Sequence, residues 1–440
     1  MFYFRNKKTN FAAVFTNENR RMKKIYRANI LYTKQKDCFE IIEDGYVAVG
    51  DDGRVCRVAA DRDSLGWPDA EVVDYKDKLL IPAMNDVHVH AAQYHNQGIA
   101  MDMELLPWLE HYTFPEEAKF ADTDYAERIY SRFISHLRRV GTMRAAVFAT
   151  VHTEGTRRLM RLFSEAGMGA LVGKVAMDRN CPDSLIETVD EAVSGMEQLA
   201  TEYADPQSLV RPIVTPRFIP SCTPAMLKAC GELASRYGLP VQSHLSENLA
   251  EVASVHQLEP DALGYGDAYR RYGLFGQTPT VMAHCVWSDA AERRLMKEGD
   301  VMVAHCPTSN FNVASGMAPI RTFLDEGIRV GLGSDISGGH DLSIFRTMVY
   351  AIQVSKMHYQ RNHDMPFLLL SEAFWMATKG GGSFFGRVGS FEEGYDFDAL
   401  VIDDHDLYPE DYTLEQRLER FIYTGDDRHI VHRFCRGKEV

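Results

Sequence analysis

Eight short apolar segments recur along the chain, most of them separated by longer stretches with helical spacing. This alternation restricts the fold more than any other feature, because strands that return through helices build parallel α/β architectures. Eight such units predict an α/β fold of the (β/α)8 TIM-barrel type, whose active sites lie at the carboxyl ends of the strands. The predicted strands are residues 79–89, 143–151, 170–177, 210–218, 240–245, 280–286, 301–306 and 329–334.

Both ends of the chain have a different pattern, in which short strands follow one another with weak helical periodicity. Near the amino end, a turn at Asp51-Asp52-Gly53 marks a hairpin. Near the carboxyl end, residues 397–403 and 429–434 again favour strands. We therefore predict a small β-sandwich domain formed by the two terminal segments together, beside the barrel.

The predicted domain boundaries follow from these patterns. The composite β domain would comprise residues 22–80 plus 388–440, and the barrel residues 81–387. Residues 1–21 are expected to be a disordered extension or to precede a natural start at Met22, because residues 23–32 already have the pattern of a first strand. These first residues lack the apolar centre of a secretory signal.

Composition excludes several classes of protein. The chain has 440 residues, of which 45% are hydrophobic, and this is typical of a folded globular protein. Its formal net charge of -14 disfavours a nucleic-acid partner, and no apolar run is long enough to span a membrane. The 8 cysteines form no C-x-x-C pair, so a cytoplasmic protein without disulfides is expected. Any nucleobase it binds should be a small free molecule.

Three histidines and an aspartate stand where barrel metal ligands belong. His88 and His90 are two residues apart on the first strand and share one face, while His244 and Asp335 end the fifth and eighth strands. Three imidazoles and a carboxylate suit Zn²⁺, with Fe²⁺ as the alternative. Alone, Asp335 could be a helix N-cap and His244 a packed strand end. Their joint placement favours a metal site.

Two further side chains are candidates for proton transfer. Glu247 follows His244 by three residues, where it can reach a metal-activated water without being a ligand, so it is the predicted general acid/base. His284 ends the sixth strand and could orient the attacking water or act as another ligand. Asp335 is expected to help deprotonate that water. His152 and His305 also end strands, and we assign them supporting or structural roles.

Four motifs together resemble the amidohydrolase superfamily, in its mononuclear deaminase and chlorohydrolase branch. They are DVHVH at 86–90, SHLSE at 243–247, MAH at 282–284 and GSD at 333–335. Three further stretches resemble the guanine deaminases within that superfamily: AAQY at 91–94, PWLEHYTFP at 107–115 and VTPRF at 214–218. This chain departs from the family pattern at Ala92 and at Cys285, where a serine and a glycine are familiar.

The resemblance implies specific roles for these residues. One Zn²⁺ per subunit would be held by His88, His90, His244 and Asp335, with Glu247 and His284 as catalytic partners. A single metal is implied because no lysine ends the fourth strand, where binuclear members carry a carboxylated one. The purine base would be held by Gln93, Trp108, Arg217 and Phe218.

The chemistry of these side chains suits a purine. Arg217 can donate to O6 and a ring nitrogen, Gln93 can donate and accept, and Phe218 offers a stacking face. Outside the motif, such an arginine is often in a salt bridge and such a phenylalanine in the core. The implied activity is hydrolysis of guanine to xanthine and ammonia by a homodimer. The alternatives are another aminated heterocycle, such as 8-oxoguanine, a triazine or an adenosine derivative, and a non-catalytic scaffold.

Overall fold

A computed structural model describes residues 24–407 and 411–440, so the predictions for residues 1–21 lie outside the described residues. The described strands are β1 (Lys24–Gln35), β2 (Cys38–Val49), β3 (Val55–Ala59), β4 (Glu71–Pro82), β5 (Met84–His90), β6 (Thr142–Phe148), β7 (Gly169–Gly173), β8 (Val175–Ala176), β9 (Val210–Pro212), β10 (Thr215–Pro216), β11 (Val241–Leu245), β12 (Thr280–His284), β13 (Met302–His305), β14 (Val330–Leu332), β15 (Ala399–Ile402), β16 (Ile430–Cys435) and β17 (Lys438–Glu439).

Helices fill most of the connections between the strands. They are α1 (Leu105–Trp108), α2 (Phe114–Glu117), α3 (Thr123–Arg139), α4 (Thr153–Glu165), α5 (Val189–Glu202), α6 (Pro224–Tyr237), α7 (Leu249–Leu258), α8 (Tyr265–Arg271), α9 (Ala290–Glu298), α10 (Pro307–Asn312), α11 (Ile320–Asp325), α12 (Ile344–Arg361), α13 (Leu370–Trp375) and α14 (Leu414–Thr424). Two π-helical turns, Leu109–Thr113 and Met376–Gly380, follow α1 and α13 directly. Within the described ranges, no helix has the length and apolar character needed to cross a bilayer.

The predicted (β/α)8 barrel is confirmed. Strands β5, β6, β7 and β9 form one parallel sheet, and β11 to β14 form a second. A bridge between Val214 and Val241 joins the two sheets on one side. On the other side the Asp335 amide donates to the His88 carbonyl at 3.0 Å, and the His90 amide to the Ile336 carbonyl at 3.1 Å. The barrel is thereby closed, and its strand ends converge at one mouth.

Three of the predicted strand segments are divided in the structure. The run 170–177 contains β7 and then β8, which belong to different sheets. The run 79–89 contains the end of β4, which pairs with β15, and then β5, which enters the barrel. Both parts are fully buried, so apolar pattern alone could not separate them. The run 210–218 breaks after Pro212, and β10 pairs separately with β8. Proline lacks the amide proton that a continuous ladder needs.

The strands of the two chain ends share one seven-stranded sheet, in the order β17-β16-β15-β4-β1-β2-β3. Alternate residues of β1, from Tyr26 to Tyr32, pack into a core with Phe397 and Phe434. The backbones of Arg54 and Asp396 also form an antiparallel β-bridge, so the sheet curls around this core. The sheet is therefore one continuous, curved layer built from both ends. The proposed domain limits at 80/81 and 387/388 stay a prediction.

Candidate active site

The predicted metal ligands meet at the carboxyl end of the barrel. His88 and His90 lie on β5, His244 on β11, and Asp335 three residues after the end of β14. His90 Nε2 lies 3.1 Å from His244 Nε2, and Asp335 Oδ1 lies 3.1 Å from His88 Nε2 and 3.4 Å from His90 Nε2. All four residues are buried. Two groups, His88-His90-His244 and His88-His284-Asp335, each place their ligand atoms within 4.8 Å of one another.

The hydrogen bonds of these imidazoles fit a divalent cation. His244 Nδ1 donates to the Arg217 carbonyl at 2.6 Å, so its Nε2 carries a lone pair toward His90. His88 Nε2 is buried and, although Asp335 Oδ1 lies 3.1 Å away, it makes no hydrogen bond of good geometry within the described chain. Burial lowers the pKa of His90 and of His244 well below its ordinary value, which keeps both rings neutral. Buried lone pairs facing one another are unfavourable unless a cation lies between them.

The Asp335 carboxylate is held in its charged form. Burial alone would raise its pKa, but the neighbouring imidazoles of His88, His284 and His90 lower the pKa far below the ordinary range. Its backbone amide is fixed by the His88 carbonyl at 3.0 Å. A carboxylate together with the imidazoles of His88, His90 and His244 is a suitable ligand set for zinc or iron(II).

Left-handed backbone conformations occur where three of the barrel strands end. Ser246, His284, Cys285 and Asp335 have φ values of 47°, 74°, 51° and 48°. Such conformations are unfavourable for residues with a Cβ atom and concentrate at functional sites. A glycine would adopt this conformation without strain. Cys285, where the family pattern has a glycine, therefore adds backbone strain at this position.

Glu247 lies beside this cluster in a position suited to proton transfer. Its Oε2 is 3.4 Å from His284 Nε2, and its Oε1 accepts a hydrogen bond from Ser315 Oγ at 3.0 Å. Burial raises the pKa of Glu247 above its ordinary value, so the carboxyl can hold a proton near neutral pH. Glu251 accepts from the Glu247 amide at 2.9 Å and fixes the backbone there. Glu251 was not found from the sequence.

His284 is oriented by a side chain that sequence reasoning also missed. Its Nδ1 lies 2.9 Å from Asn310 Oδ1 and donates to it, because an amide oxygen is only an acceptor. The other ring nitrogen, Nε2, therefore faces Glu247 and lies 3.6 Å from Asp335 Oδ2. This position agrees with either predicted role of His284, water orientation or metal ligation.

Gln93 and Arg217 are held together by a third residue, Glu117. Gln93 Nε2 donates to Glu117 Oε1 at 2.8 Å, and Arg217 NH1 donates to Glu117 Oε2 at 2.6 Å. The Ser337 amide donates to Gln93 Oε1 at 3.1 Å. Glu117 is buried at the end of α2, two residues beyond the sequence stretch 107–115. That proximity is the one sequence feature that could have pointed to Glu117.

Apolar side chains complete the cavity. Trp108 and Phe218, which the sequence assigned to purine binding, are buried and line it. Phe148, at the end of β6, was not predicted, yet its ring centroid lies 5.0, 4.5 and 4.8 Å from those of His88, His90 and His244. The cavity is lined by His90, Gln93, Leu105, Trp108, Leu109, Arg217, Phe218, His244, Glu247, His284, Ser309, Val313, Asp335 and Gly338.

Two other strand-end histidines stay outside this cluster. His305 is fully buried, and neither ring nitrogen has a hydrogen-bond partner among the described residues. Burial lowers its pKa to about 3, so the ring is neutral. His152 precedes α4, and burial lowers its pKa as well. Neither residue belongs to the groups that could hold a metal, in keeping with the supporting roles predicted for them.

A (β/α)8 barrel that gathers three histidines and an aspartate at its strand ends defines a metal-dependent hydrolase class. The sequence comparison leads to the same class, because residues 79–440 match the amidohydrolase family. The chain belongs to the amidohydrolase family.

Several similar proteins within that family are guanine deaminases. A guanine deaminase from Dictyostelium discoideum is 35% identical over 442 residues, which cover 95% of this chain and 98% of the relative. The solved structure of guanine deaminase from C. acetobutylicum, with guanine bound in its active site, is 51% identical with a TM-score of 0.93, covering 95% of this chain and 100% of that one. E. coli guanine deaminase is 31% identical with a TM-score of 0.88, covering 95% and 99%.

Proposed function

We propose that this chain hydrolyses guanine to xanthine and ammonia. The observation that carries the proposal is one cavity whose lining includes Glu247, the candidate metal ligands His90, His244 and Asp335, and the linked pair Gln93 and Arg217. The solved relative that holds guanine in its active site is 51% identical to this chain, and this supports the choice of substrate.

The polar wall of the cavity suits the edge of a purine. Glu117 accepts from both Gln93 and Arg217, which fixes the two side chains relative to each other. The Arg217 guanidinium has further N–H groups for the O6 atom of guanine, and the Gln93 amide can donate and accept. Phe218 and Trp108 supply apolar surfaces for the ring faces. A rigid polar wall discriminates against bases that leave these groups unpaired.

The proposed ligands are His88, His90, His244 and Asp335, whose buried lone pairs fit a divalent cation. When bound there, the cation would supply Lewis acidity, which makes water nucleophilic near neutral pH. Zn²⁺, one per subunit, is the metal we propose, with Fe²⁺ as the alternative. Elemental analysis of the purified protein distinguishes the two.

Glu247, Asp335 and His284 carry the proton transfers. Asp335 accepts one proton of the attacking water, which His284 Nε2 helps to orient, and the water oxygen forms a bond to C2 of guanine. Glu247 delivers its proton to N3, which makes C2 electrophilic enough for attack. The Glu247 carboxylate then takes the proton of the new C2 hydroxyl and gives it to the amino group, so the C2–N bond breaks, ammonia leaves and C2 becomes a carbonyl. The proton held by Asp335 returns to Glu247 and restores the starting state. The raised pKa of Glu247 allows it to give and regain protons within the cycle.

The proposal extends to a cytoplasmic homodimer. All eight cysteines are free, which suits a reducing compartment. Sedimentation analysis and cell fractionation test these two points independently of catalysis.

The decisive experiment compares substrates on purified, metal-loaded protein. Guanine should be deaminated with a kcat/KM at least about tenfold above that of 8-oxoguanine, an aminotriazine or adenosine, a factor that about 1.4 kcal/mol of transition-state binding provides. Ammonia release and purine absorbance measure the rates. Faster turnover of another heterocycle would contradict the proposal, and absence of turnover at full metal content would identify a non-catalytic protein.

A further inference from the structure

A second, larger cavity lies at the opposite end of the barrel from the candidate active site. Its volume is about 900 Å³. The amino ends of barrel strands border it, through Arg211 on β9, the segment 276–279 before β12, and Asp300 before β13. The curved terminal sheet contributes Arg54, Asp396 and Arg436 to the other wall. The cavity is within the size range of small-molecule sites in proteins.

Positive charge exceeds negative charge in this cavity. Asp396 and Asp300 are the carboxylates among its lining residues, and Asp398 pairs with one of its arginines. The arginines that line it are Arg54, Arg144, Arg211, Arg329, Arg387 and Arg436. Six guanidinium groups therefore face three carboxylates, in a protein whose formal net charge is -14.

One carboxylate, that of Asp396, forms ion pairs with three of these arginines. Asp396 contacts Arg144 NH2 at 2.9 Å, Arg436 Nε at 2.9 Å and Arg54 Nε at 3.3 Å. Asp398 contacts Arg144 Nε at 2.6 Å and also accepts from the Arg436 amide. These two carboxylates are thus fully engaged with arginines they already contact.

Two arginines of the cavity have no such partner. Within the described residues, the side chains of Arg211 and Arg387 make no hydrogen bond and no ion pair. Arg211 is half-buried, and its burial together with nearby Arg144 and Arg436 lowers its pKa from the ordinary value. The absence of a side chain at Gly394 leaves room for Arg387, since a Cβ atom there would lie 2.8 Å from Arg387 NH1.

We propose that this cavity binds a polyvalent oxyanion, namely a small molecule that carries a phosphate group. Guanidinium groups form paired, charge-assisted hydrogen bonds with phosphate oxygens, and Arg211 and Arg387 have their donors free to form them. Arg211 is an unpaired, half-buried cation beside Arg144 and Arg436, which is electrostatically unfavourable. A bound dianion would offset that cost. The ligand is separate from the purine substrate, because the two cavities lie at opposite ends of the barrel.

Titration calorimetry on the full-length, metal-loaded protein tests the site, with orthophosphate and uridine monophosphate as probes. A pyrimidine nucleotide avoids the proposed purine site. We expect saturable binding of at least one probe, at constant metal content and at an ionic strength kept constant with sodium chloride. Stronger binding of orthophosphate would assign the site to free phosphate, and stronger binding of the nucleotide to phosphate borne on an organic group.

Three variants make the result specific. Arg211→Gln and Arg387→Gln should each weaken phosphate binding about tenfold or more, because a hydrogen bond to a charged group is lost. Neither should lower the unfolding temperature of the phosphate-free protein, since neither side chain is paired. Arg294→Gln, an exposed arginine outside the cavity, is the matched control and should bind as the parent does. Absence of saturable binding, or an equal loss in the Arg294 variant, would overturn the proposal.

Discussion

The two ends of the barrel bury polar groups in opposite ways. At the carboxyl end, the imidazoles of His90 and His244 respond to burial with a lowered pKa and become neutral. At the amino end, guanidinium groups stay charged at every accessible pH, so burial of Arg144 requires Asp396 and Asp398. A histidine can lose its proton and remain neutral until a cation binds, whereas a buried arginine stays charged and requires an anion beside it. The comparison separates a site built for chemistry from one built on fixed charge.

The largest expected effect is at the carboxyl end. His88→Ala removes a candidate ligand and should lower the metal content of the protein and abolish guanine turnover, because a site with only three remaining donors loses affinity and geometry. Elemental analysis beside ammonia release measures both. His305→Asn is the matched control, since His305 is equally buried at a strand end but outside the cluster, and it should retain metal. Full metal content in the His88 variant would remove this residue from the ligand set.

Glu247→Gln should separate proton transfer from metal binding within that same end. The variant keeps the side-chain shape but cannot give and regain protons, so kcat should fall by about 10² to 10⁴, the usual contribution of general acid/base catalysis. Metal content should stay at the parental level. A loss of metal would make Glu247 a ligand, and near-parental turnover would exclude it from the mechanism.

At the amino end the expected effect is on stability. Arg144→Ala leaves the carboxylate of Asp398 buried without its partner, and the side chains of both residues are nearly inaccessible, at 4% and 1% exposure. The free energy of unfolding should fall by about 3 to 5 kcal/mol, as when one partner of a buried pair is removed. Denaturant titration measures this loss, and metal content and kcat per folded molecule should not change.

The control for that measurement is an exposed ion pair. Arg236 contacts Glu197 with 62% of its side chain exposed, so Arg236→Ala should cost at most about 1 kcal/mol. If Arg144→Ala costs no more than this control, the fixed charges of the amino end do not support the fold, and the contrast between the two ends fails.

The smallest expected effect on catalysis concerns substrate binding. Arg217→Ala should raise KM for guanine about 10- to 150-fold, the equivalent of losing about 1.5 to 3 kcal/mol of a charged hydrogen bond. Glu117→Gln keeps Arg217 and an acceptor oxygen for one of the two neighbours, while its NH2 group faces the other, so it should raise KM less than the loss of Arg217 itself. Steady-state kinetics on the two variants measures the difference. Turnover of the Arg217 variant within about a factor of two of the parent would make Arg217 structural rather than a purine contact.

Much of the site could be predicted because its residues stand at strand ends. Once eight strands were recognised, parallel pairing placed their carboxyl ends at one mouth, and His88, His244 and Asp335 had to approach one another. The supporting residues had no comparable position in the sequence pattern that could identify them. Glu117, Asn310 and Ser315 lie in helices or loops, where sequence distance says nothing about which strand end they reach. Their roles follow from hydrogen bonds that exist only in the folded chain.

The amino-terminal cavity shows the same limit more strongly. Arg54, Arg211 and Arg436 are far apart in sequence, and each alone has the pattern of an ordinary surface arginine. They meet because the terminal sheet curls and packs against the barrel. No periodicity or motif in the sequence predicts that these arginines lie together, because the cavity depends on how the sheet and the barrel pack.

By itself, the sequence determined the barrel, the strand-end histidines and the family, because hydrophobic periodicity and short motifs are local properties of the chain. Only the tertiary structure decided which buried nitrogen atoms lack hydrogen-bond partners, which carboxyl group has a raised pKa, and where six arginines lie near three carboxylates. Burial and electrostatic energy depend on distances between residues that are remote in sequence, and folding alone sets those distances.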